Sequence, residues 1–433
     1  MPVGICPRSE TIVTTYLLFG LFVATLLGIA KFHKLALPIA LGGLGCVLAV
    51  KLMDPHFSLA DHFLFGVVHG GEKHDPEWPT IVNLGGLLLG FAVLTNYFER
   101  SNLAEKITEV LPAGRMGAFL LLVLVAVMSS VLDNIAAALI GGAAAMTLFQ
   151  RRVHIGYLAA IVAASNAGGA GSVLGDTTTM MIWLEGISPL SVMEAAVGAV
   201  VAVAFFGFFA ARQQTALQPL VRGHGEHKPV DLGSLGVVLL IVVGAIAANL
   251  QYGMPAYGVW GAIAVGALLR KPDLKVVPPA ALGACFLLSL VLSASMMPVD
   301  KLPSATEWTT LGLGVVSAFF DNIPLTKLAL AQGGYDWGFL AYAVGYGGSM
   351  LWFGSSAGVA ISGMFPEAKS AKNWLVNGWH VAVGYFLGFF AMFALIGWHP
   401  QEMPGKLRGA SVPAANHAAP DDGHGTPPSH PGK

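Results

Sequence analysis

Phe319-Phe320-Asp321-Asn322-Ile323-Pro324-Leu325-Thr326 places an acid and an amide inside an apolar run, and Val131-Leu132-Asp133-Asn134-Ile135 does the same in the first half of the chain. Each copy is followed some 20 to 30 residues later by a break rich in glycine and hydroxyl side chains. The first break is Ser165-Asn166-Ala167-Gly168-Gly169-Ala170-Gly171-Ser172-Val173-Leu174-Gly175-Asp176-Thr177-Thr178-Thr179. The second is Gly345-Tyr346-Gly347-Gly348-Ser349, continuing through Gly354-Ser355-Ser356-Ala357-Gly358. A carboxylate in lipid is costly unless it is paired or faces a cavity, so membrane-embedded acids point to function by default. One Asp-Asn pair could be an accident of packing; two pairs with matching breaks argue for a duplicated site.

The surroundings of these runs are those of a membrane protein. Of 433 residues, 55% are hydrophobic and 11% charged, with mean hydropathy +0.69; a soluble chain carries roughly a quarter charged residues. Apolar runs of helix-spanning length recur from end to end, where a barrel would show short alternating segments. The net charge of -1 and the lack of a basic face argue against a nucleic-acid partner. Cys6, Cys46 and Cys285 fit no metal or redox spacing. The first run lacks a basic leader and a small-residue cleavage site, and reads as a retained helix.

Taken in order, spans are expected at 11–30, 35–53 and 80–98, with a polar loop at 56–79 between the second and third. That loop holds His56, His62, His69 and His74, whose spacing matches no ligand pattern; a solvated loop with a short amphipathic helix is expected. Residues 101–111 alternate as an interfacial helix. The first Asp-Asn pair sits in a hairpin over 116–149. Its second leg of about 15 residues is roughly 22 Å as helix, short of the ~30 Å core, which predicts a re-entrant hairpin with a buried tip. A helix broken by glycine follows over 155–184, then a span over 189–211. Glycines unwind a helix cheaply, and the amides and carbonyls freed around Gly168 and Ser172 must find a ligand.

After a linker over 213–231 the pattern repeats over 232–398: three spans, a short-legged hairpin at 308–332, a broken helix at 337–363 and a last span at 373–397. The tail, 399–433, is rich in Pro, Gly, Ala and His and is expected to be disordered. If the hairpins do not cross, 15 of the 23 basic residues fall on one side, among them Lys31, Arg100, Arg151, Arg152, Arg270 and Lys369. The cytoplasmic bias of Lys and Arg supports that layout and gives residues 1–212 and 232–398 opposite orientations. The expected fold is therefore all-α and polytopic: about ten transmembrane helices, two re-entrant hairpins and two broken helices in an inverted repeat.

These residues resemble the ion transporter superfamily, and within it the NhaD-type sodium/proton antiporters and neighbouring citrate transporters. The resemblance is carried by Leu132-Asp133-Asn134-Ile135, Ser165-Asn166-Ala167-Gly168-Gly169, Gly175-Asp176-Thr177-Thr178, Phe320 through Thr326, Gly347-Gly348-Ser349 and Gly354 through Ala360, within roughly 80–398. It implies a homodimer in the lipid bilayer, with a scaffold region and a mobile region holding hairpins and broken helices. The expected location is a bacterial inner membrane. It also implies polar residues needed for activity, which here are Asp133, Asn134, Asn166, Asp176, Thr177, Thr178, Ser317, Asp321, Asn322, Ser349, Ser355 and Ser356.

Substrate class is weighed on charge. Dicarboxylate carriers of the superfamily have neutral Ser-Asn-Thr tips, whereas this chain has Asp at both tips and a third acid, Asp176. Three acids repel an organic anion and attract a cation or proton, and Asp and Asn oxygens suit a hard ion. Na⁺ is expected at Asp133, Asn134, Asp176, Asp321 and Asn322, competing with H⁺ for carboxyls whose charge burial disfavours. Citrate or another organic anion is the alternative, kept open by Lys327, six residues past Asp321. Lys327 could neutralise a site acid, hold an anion, or snorkel to the interface. An intramembrane aspartyl protease also needs two embedded acids, and Leu174-Gly175-Asp176 has its glycine-aspartate pair, but nothing in that chemistry needs duplicated hairpins. No phosphate loop or metal cluster is visible, so no cofactor and no ATP are expected; Na⁺ and H⁺ are the transported or coupling ions.

Overall fold

The computed structural model describes residues 7–401, apart from 56, 70, 71, 75, 104, 105, 107–110 and 222–228. The tail from 402, most of the interfacial stretch at 101–111, and His56, His224 and His227 lie outside the described residues. Helices dominate. Five are long and apolar enough to cross a bilayer: 13–31, 78–100, 189–217, 232–252 and 274–295. A sixth candidate is a pair, 371–377 and 379–395, bent by 62°. Their outward faces carry large apolar side chains, with Leu239 64%, Leu250 82% and Leu282 62% exposed. A patch of that kind is unfavourable in water and natural in lipid.

In chain order, α1 (Pro7–Lys31), α2 (Ala36–Leu52) and α3 (Trp78–Arg100) come first. The first hairpin is α4 (Arg115–Ser129) and α5 (Asn134–Leu148), and the first broken helix is α6 (Ile155–Ala170) and α7 (Thr177–Leu184). A short α8 (Pro189–Met193) leads into α9 (Ala195–Leu217). The second half holds α10 (Leu232–Tyr252), α11 (Pro255–Gly266) and α12 (Val277–Ser295), then the second hairpin, α13 (Glu307–Ser317) and α14 (Asn322–Gln332). The second broken helix is α15 (Trp337–Gly347) and α16 (Ser356–Met364), followed by α17 (Ala371–Asn377) and α18 (Trp379–Leu395).

Two of the expectations need correcting. The loop after α2 contains a π-helical turn at Asp61–Phe65 and a two-stranded antiparallel hairpin, β1 (Val67–His69) with β2 (Glu72–His74). A sequence rich in His, Gly and charge gave no alternating pattern from which to predict strands of three residues. The last span is two helices, because the chain bends at Gly378, the residue between them.

Packing gathers the helices into two groups that meet along α12 with α14 and α3 with α7. In one, α3 lies against α10, α11 and α12, and α12 also meets α2. Small residues bring these helices close: the Cβ of an alanine at Gly258 would overlap the Gly244 carbonyl, so α10 and α11 touch backbone to backbone around the left-handed turn at Gly253. In the other group α6 is covered by α4, α5 and α9, and α9 packs along α18. The rings of Tyr342, Tyr346 and Tyr385 stack at 5.4 to 6.0 Å; the Tyr342 and Tyr346 hydroxyls donate to α18 carbonyls and fasten it to α15, and Tyr385 donates to the Leu311 carbonyl of α13. At the surface, Asp231 caps α10 and pairs with Arg270 at 3.0 Å. The Arg270 guanidinium, helped by the Ser234 hydroxyl, holds that carboxyl well below the usual carboxylate range.

Candidate functional site

Both hairpins turn in the same way. Asp133 precedes α5 at φ −54°, ψ 141°, and Asp321 precedes α14 at φ −56°, ψ 141°. Each thus stands at a helix N-terminus, where unsatisfied amides favour negative charge. Both legs of the first hairpin have 15 residues and both legs of the second have 11, about 22 and 16 Å as helix. The breaks also match. Asp176 starts α7 at φ −145°, ψ 145°, and Ser355 starts α16 at φ −141°, ψ 154°.

Glycine lets each break approach its hairpin. A Cβ at Gly168 would overlap the Ala126 carbonyl, and one at Gly347 would overlap the Gly314 carbonyl. Across each gap, the Cβ position of Gly169 is 2.6 Å from the Gly175 oxygen, and that of Gly348 is 2.6 Å from the Gly354 oxygen. Nothing larger fits without moving backbone. The partnership then crosses over: α5 of the first hairpin packs on α16, and α14 of the second packs on α7. The two tips and two breaks therefore meet at one place.

Asp176, 2% exposed, is the centre of that place. Its side chain does not cap its own helix. Instead its carboxylate accepts from Asn134 Nδ2 at 3.1 Å and from Asn322 Nδ2 at 3.3 Å to each oxygen. Asn134 also donates to Asn166 Oδ1 at 3.1 Å, and Asn166 donates to Ser349 Oγ at 2.9 Å. Asn322 donates to Thr178 Oγ1 at 2.9 Å, and Thr326 joins the same hydroxyl at 3.4 Å. Gly345 leaves room for the acid: its Cβ position is 2.9 Å from Asp176 Oδ2. Asp133 and Asp321 are both within electrostatic reach of Asp176.

Asp321 faces a different environment. It accepts from the Ile323 amide at 3.0 Å and from Ser356 Oγ at 3.3 Å. With Ser355 and Ser356 it lines a cavity of about 160 Å³, walled by Leu26 and Ile29 of α1, Leu290 of α12 and Phe320. Ser355 Oγ caps α16 by accepting the Gly358 amide.

Other expected site residues serve the scaffold. Ser172 Oγ donates to the Ser130 carbonyl at 2.6 Å, tying break to hairpin, and Ser317 Oγ donates to the Val344 carbonyl at 2.8 Å in the second half. Thr177 is buried as the first residue of α7. Lys327 is where the sequence reading and the structure part. It is 5% exposed, so it does not snorkel, and its ion partners are neither Asp133, Asp176 nor Asp321 but Glu77 at 2.9 Å and Glu185 at 3.3 Å. Thr326, Glu77 and Glu185 are the residues that sequence reasoning passed over. A lysine on a buried leg needs counter-charge, and Glu77 and Glu185 end the elements nearest to it.

Comparison with known proteins places the chain in context. The family model described as citrate transporter matches residues 18–347. Sodium/proton antiporter 1 of Arabidopsis thaliana is 30% identical over 322 residues, covering 63% of this chain and 54% of that protein. Sodium/proton antiporter 2 of the same plant is 30% identical over 289 residues, 55% of this chain and 67% of its own length. The Na⁺/H⁺ antiporter NhaD of Alkalimonas amylolytica is 26% identical over 332 residues, 62% of this chain and 66% of that protein. The chain spans about half the length of the first of these relatives.

Proposed function

The chain belongs to the citrate transporter family, and from that premise we propose that it exchanges a monovalent cation, most simply Na⁺, for protons. The family and the antiporter relatives are transporters rather than enzymes, which leaves no place for the protease reading. One observation carries the choice of ion: a single carboxylate, Asp176, takes an N–H donor from each hairpin tip. A carboxylate is acceptor-only when ionised and loses that capacity in part when protonated. A cation arriving at Asp176 would displace the amides of Asn134 and Asn322 and offer itself to their oxygens. A proton on Asp176 would also weaken the clamp. Na⁺ and H⁺ then compete for the same oxygen atoms, and either event changes how the tips are held.

The remaining ligands follow from the geometry. Asp133 and Asp321 add charge to the two sides of Asp176, and Asn166, Thr178, Ser349 and Ser356 supply neutral oxygens or orient those that do. Lys327 supports the cation reading by what it is not free to do: its ammonium is already shared by two glutamates, so it is not available to hold a carboxylate substrate. The family description favours organic-anion transport as the second reading. For the fold we propose the inverted repeat of two halves with re-entrant hairpins, supported by the matching torsions at Asp133 and Asp321 and at Asp176 and Ser355. A homodimer in a bacterial inner membrane is proposed with it.

Everted vesicles loaded with a quenched pH-sensitive dye test the reading, with sodium, lithium, potassium or citrate added in turn. Dequenching by sodium or lithium is expected. Citrate uptake with no cation-driven proton movement would replace it by the second reading.

A further inference from the structure

The Glu77–Lys327–Glu185 triad lies on the seam where α14 and α7 meet α12 and α3. Glu77 precedes α3, which packs with α10, α11 and α12; Glu185 ends α7, which touches α3, and Lys327 lies on α14, which packs on α12 on one side and on α7 and α15 on the other. The three side chains are 13%, 25% and 6% exposed. Losing one partner of a buried ammonium leaves uncompensated charge, a strong penalty, so the arrangement holds while it stays closed.

The triad and the Asp321 cavity lie toward opposite ends of the helices. The end of α3 that carries Glu77 also holds His62, which bonds Ser295 at the close of α12, and the Glu77 amide bonds the His62 carbonyl. Arg100, at the far end of α3, bonds the Lys271 carbonyl before α12 begins. The cavity wall climbs α1 through Leu26, Ile29 and Ala30, and a neighbouring pocket continues to Lys31 and Phe353. α1 and α2 pack together, joined by a short turn at His33–Leu35, and Lys51 at the end of α2 feels Asp300 just after α12. Lys31 is therefore remote from the Glu77 end. One hairpin leg has its tip open toward Lys31 and its flank fastened on the other side.

We propose that this triad is a latch: the Lys327–Glu77 pair holds the second hairpin against α3 in the conformation where Asp321 is open toward Lys31, and exchange requires that pair to part. The proposal rests on the transport reading for its purpose, and on geometry alone for its existence. Lys327 and Glu77 act as positioning residues. Glu185 moves with α14, so it stays with the ammonium when the leg withdraws and keeps the charge paired, while Glu77 is left at a partly exposed edge that water can reach.

The two glutamates separate the latch from a merely structural ion pair. Glu77→Gln leaves Lys327 paired with Glu185 but removes the ion pair that crosses to the start of α3. Glu185→Gln leaves the crossing pair intact. In a background with Cys6, Cys46 and Cys285 replaced by serine, Phe353→Cys reports whether the cavity is open through its rate of maleimide labelling in membranes. Glu77→Gln is expected to slow labelling by about fivefold or more, the scale of ordinary conformational coupling, and Glu185→Gln to leave it at the parent's rate. Lys327→Arg, which keeps both pairs, should also label like the parent. Equal labelling in Glu77→Gln and the parent, or an equal fall in both glutamine variants, overturns the latch. Labelling needs no transport, so a parent that moves no cation in the dye assay would sink the antiport reading and leave this result standing.

Discussion

Asp176 and Ser355 occupy the same place in the two broken helices, each the residue from which the second helical piece starts, with nearly the same backbone torsions. Their side chains do opposite things. Ser355 turns back and caps its own helix through the Gly358 amide, while Asp176 leaves its helix uncapped and reaches both hairpin tips. The hairpins differ in the same sense: Lys327 stands six residues past Asp321, and Leu139 six past Asp133. Two copies of one backbone thus carry an uneven division of labour. The first copy supplies the acid at the centre, and the second supplies room for it at Gly345, an outlet at Asp321 and a fastening at Lys327.

The sharpest way to break this comparison is to make the two caps alike. Asp176→Asn should abolish sodium-dependent proton movement, by roughly a hundredfold or more, since a hydrogen bond to a charged group is worth up to about 3 kcal/mol. Ser355→Ala should leave exchange within a few-fold of the parent. Comparable losses in the two variants, measured by dye dequenching at matched expression, would mean that the site is shared evenly between the halves. Next comes the space across from the acid. Gly345→Ala puts a methyl 2.9 Å from Asp176 Oδ2, and should weaken apparent sodium affinity by about tenfold, or ~1.4 kcal/mol. Gly363→Ala, which meets nothing within 4 Å, is its control and should not change affinity.

Smaller effects sharpen the structural side. Ser355→Ala removes a helix cap and should lower unfolding stability by about 1 kcal/mol, with Ser355→Thr recovering most of it. Thermal melts that do not separate the two variants would argue that the hydroxyl serves the ion instead. The smallest effect belongs to Asp231, at the start of the second half. Its carboxyl is held below the usual range by Arg270, so the folded protein binds a proton there less readily than the unfolded chain does. The pair's contribution is therefore present above the unfolded value of about 3.9 and fades as pH falls below it. Asp231→Asn should slightly lower Tm at neutral pH, where the pair is intact, and flatten the acid-side decline. The pair is exposed, so the change will be slight.

Much of this arrangement could be read from the chain. Asp133-Asn134 and Asp321-Asn322 announce themselves because charge and amide are rare in apolar runs, and glycine clusters announce where helices break. What the residues do with one another was less open to reading. Asp133, Asp176 and Asp321 look equivalent in sequence, yet Asp176 alone takes hydrogen bonds from both tips, because the crossed packing of α5 on α16 and α14 on α7 is a tertiary fact with no local signal. Ser172 and Ser317 look like ligands and are pins, since a hydroxyl beside a break can serve either purpose. Lys327 was visible as an anomaly, but its partners lie 250 and 142 residues away along the chain, beyond any periodicity.

The backbone contact of Gly244 with Gly258 bears on how the protein is made. Helices α10 and α11 are consecutive, their turn at Gly253 is short, and their contact is written entirely within 232–266. Two helices that need no later residue to fit each other can dock as soon as both have left the ribosome and entered the bilayer. α3 then finds a ready-made surface, closing on Ala256 and Val259 through Gly86 and Gly90. Biogenesis of the second half would begin from this pair, and a bulky residue at Gly258 would be felt first as a chain that fails to mature.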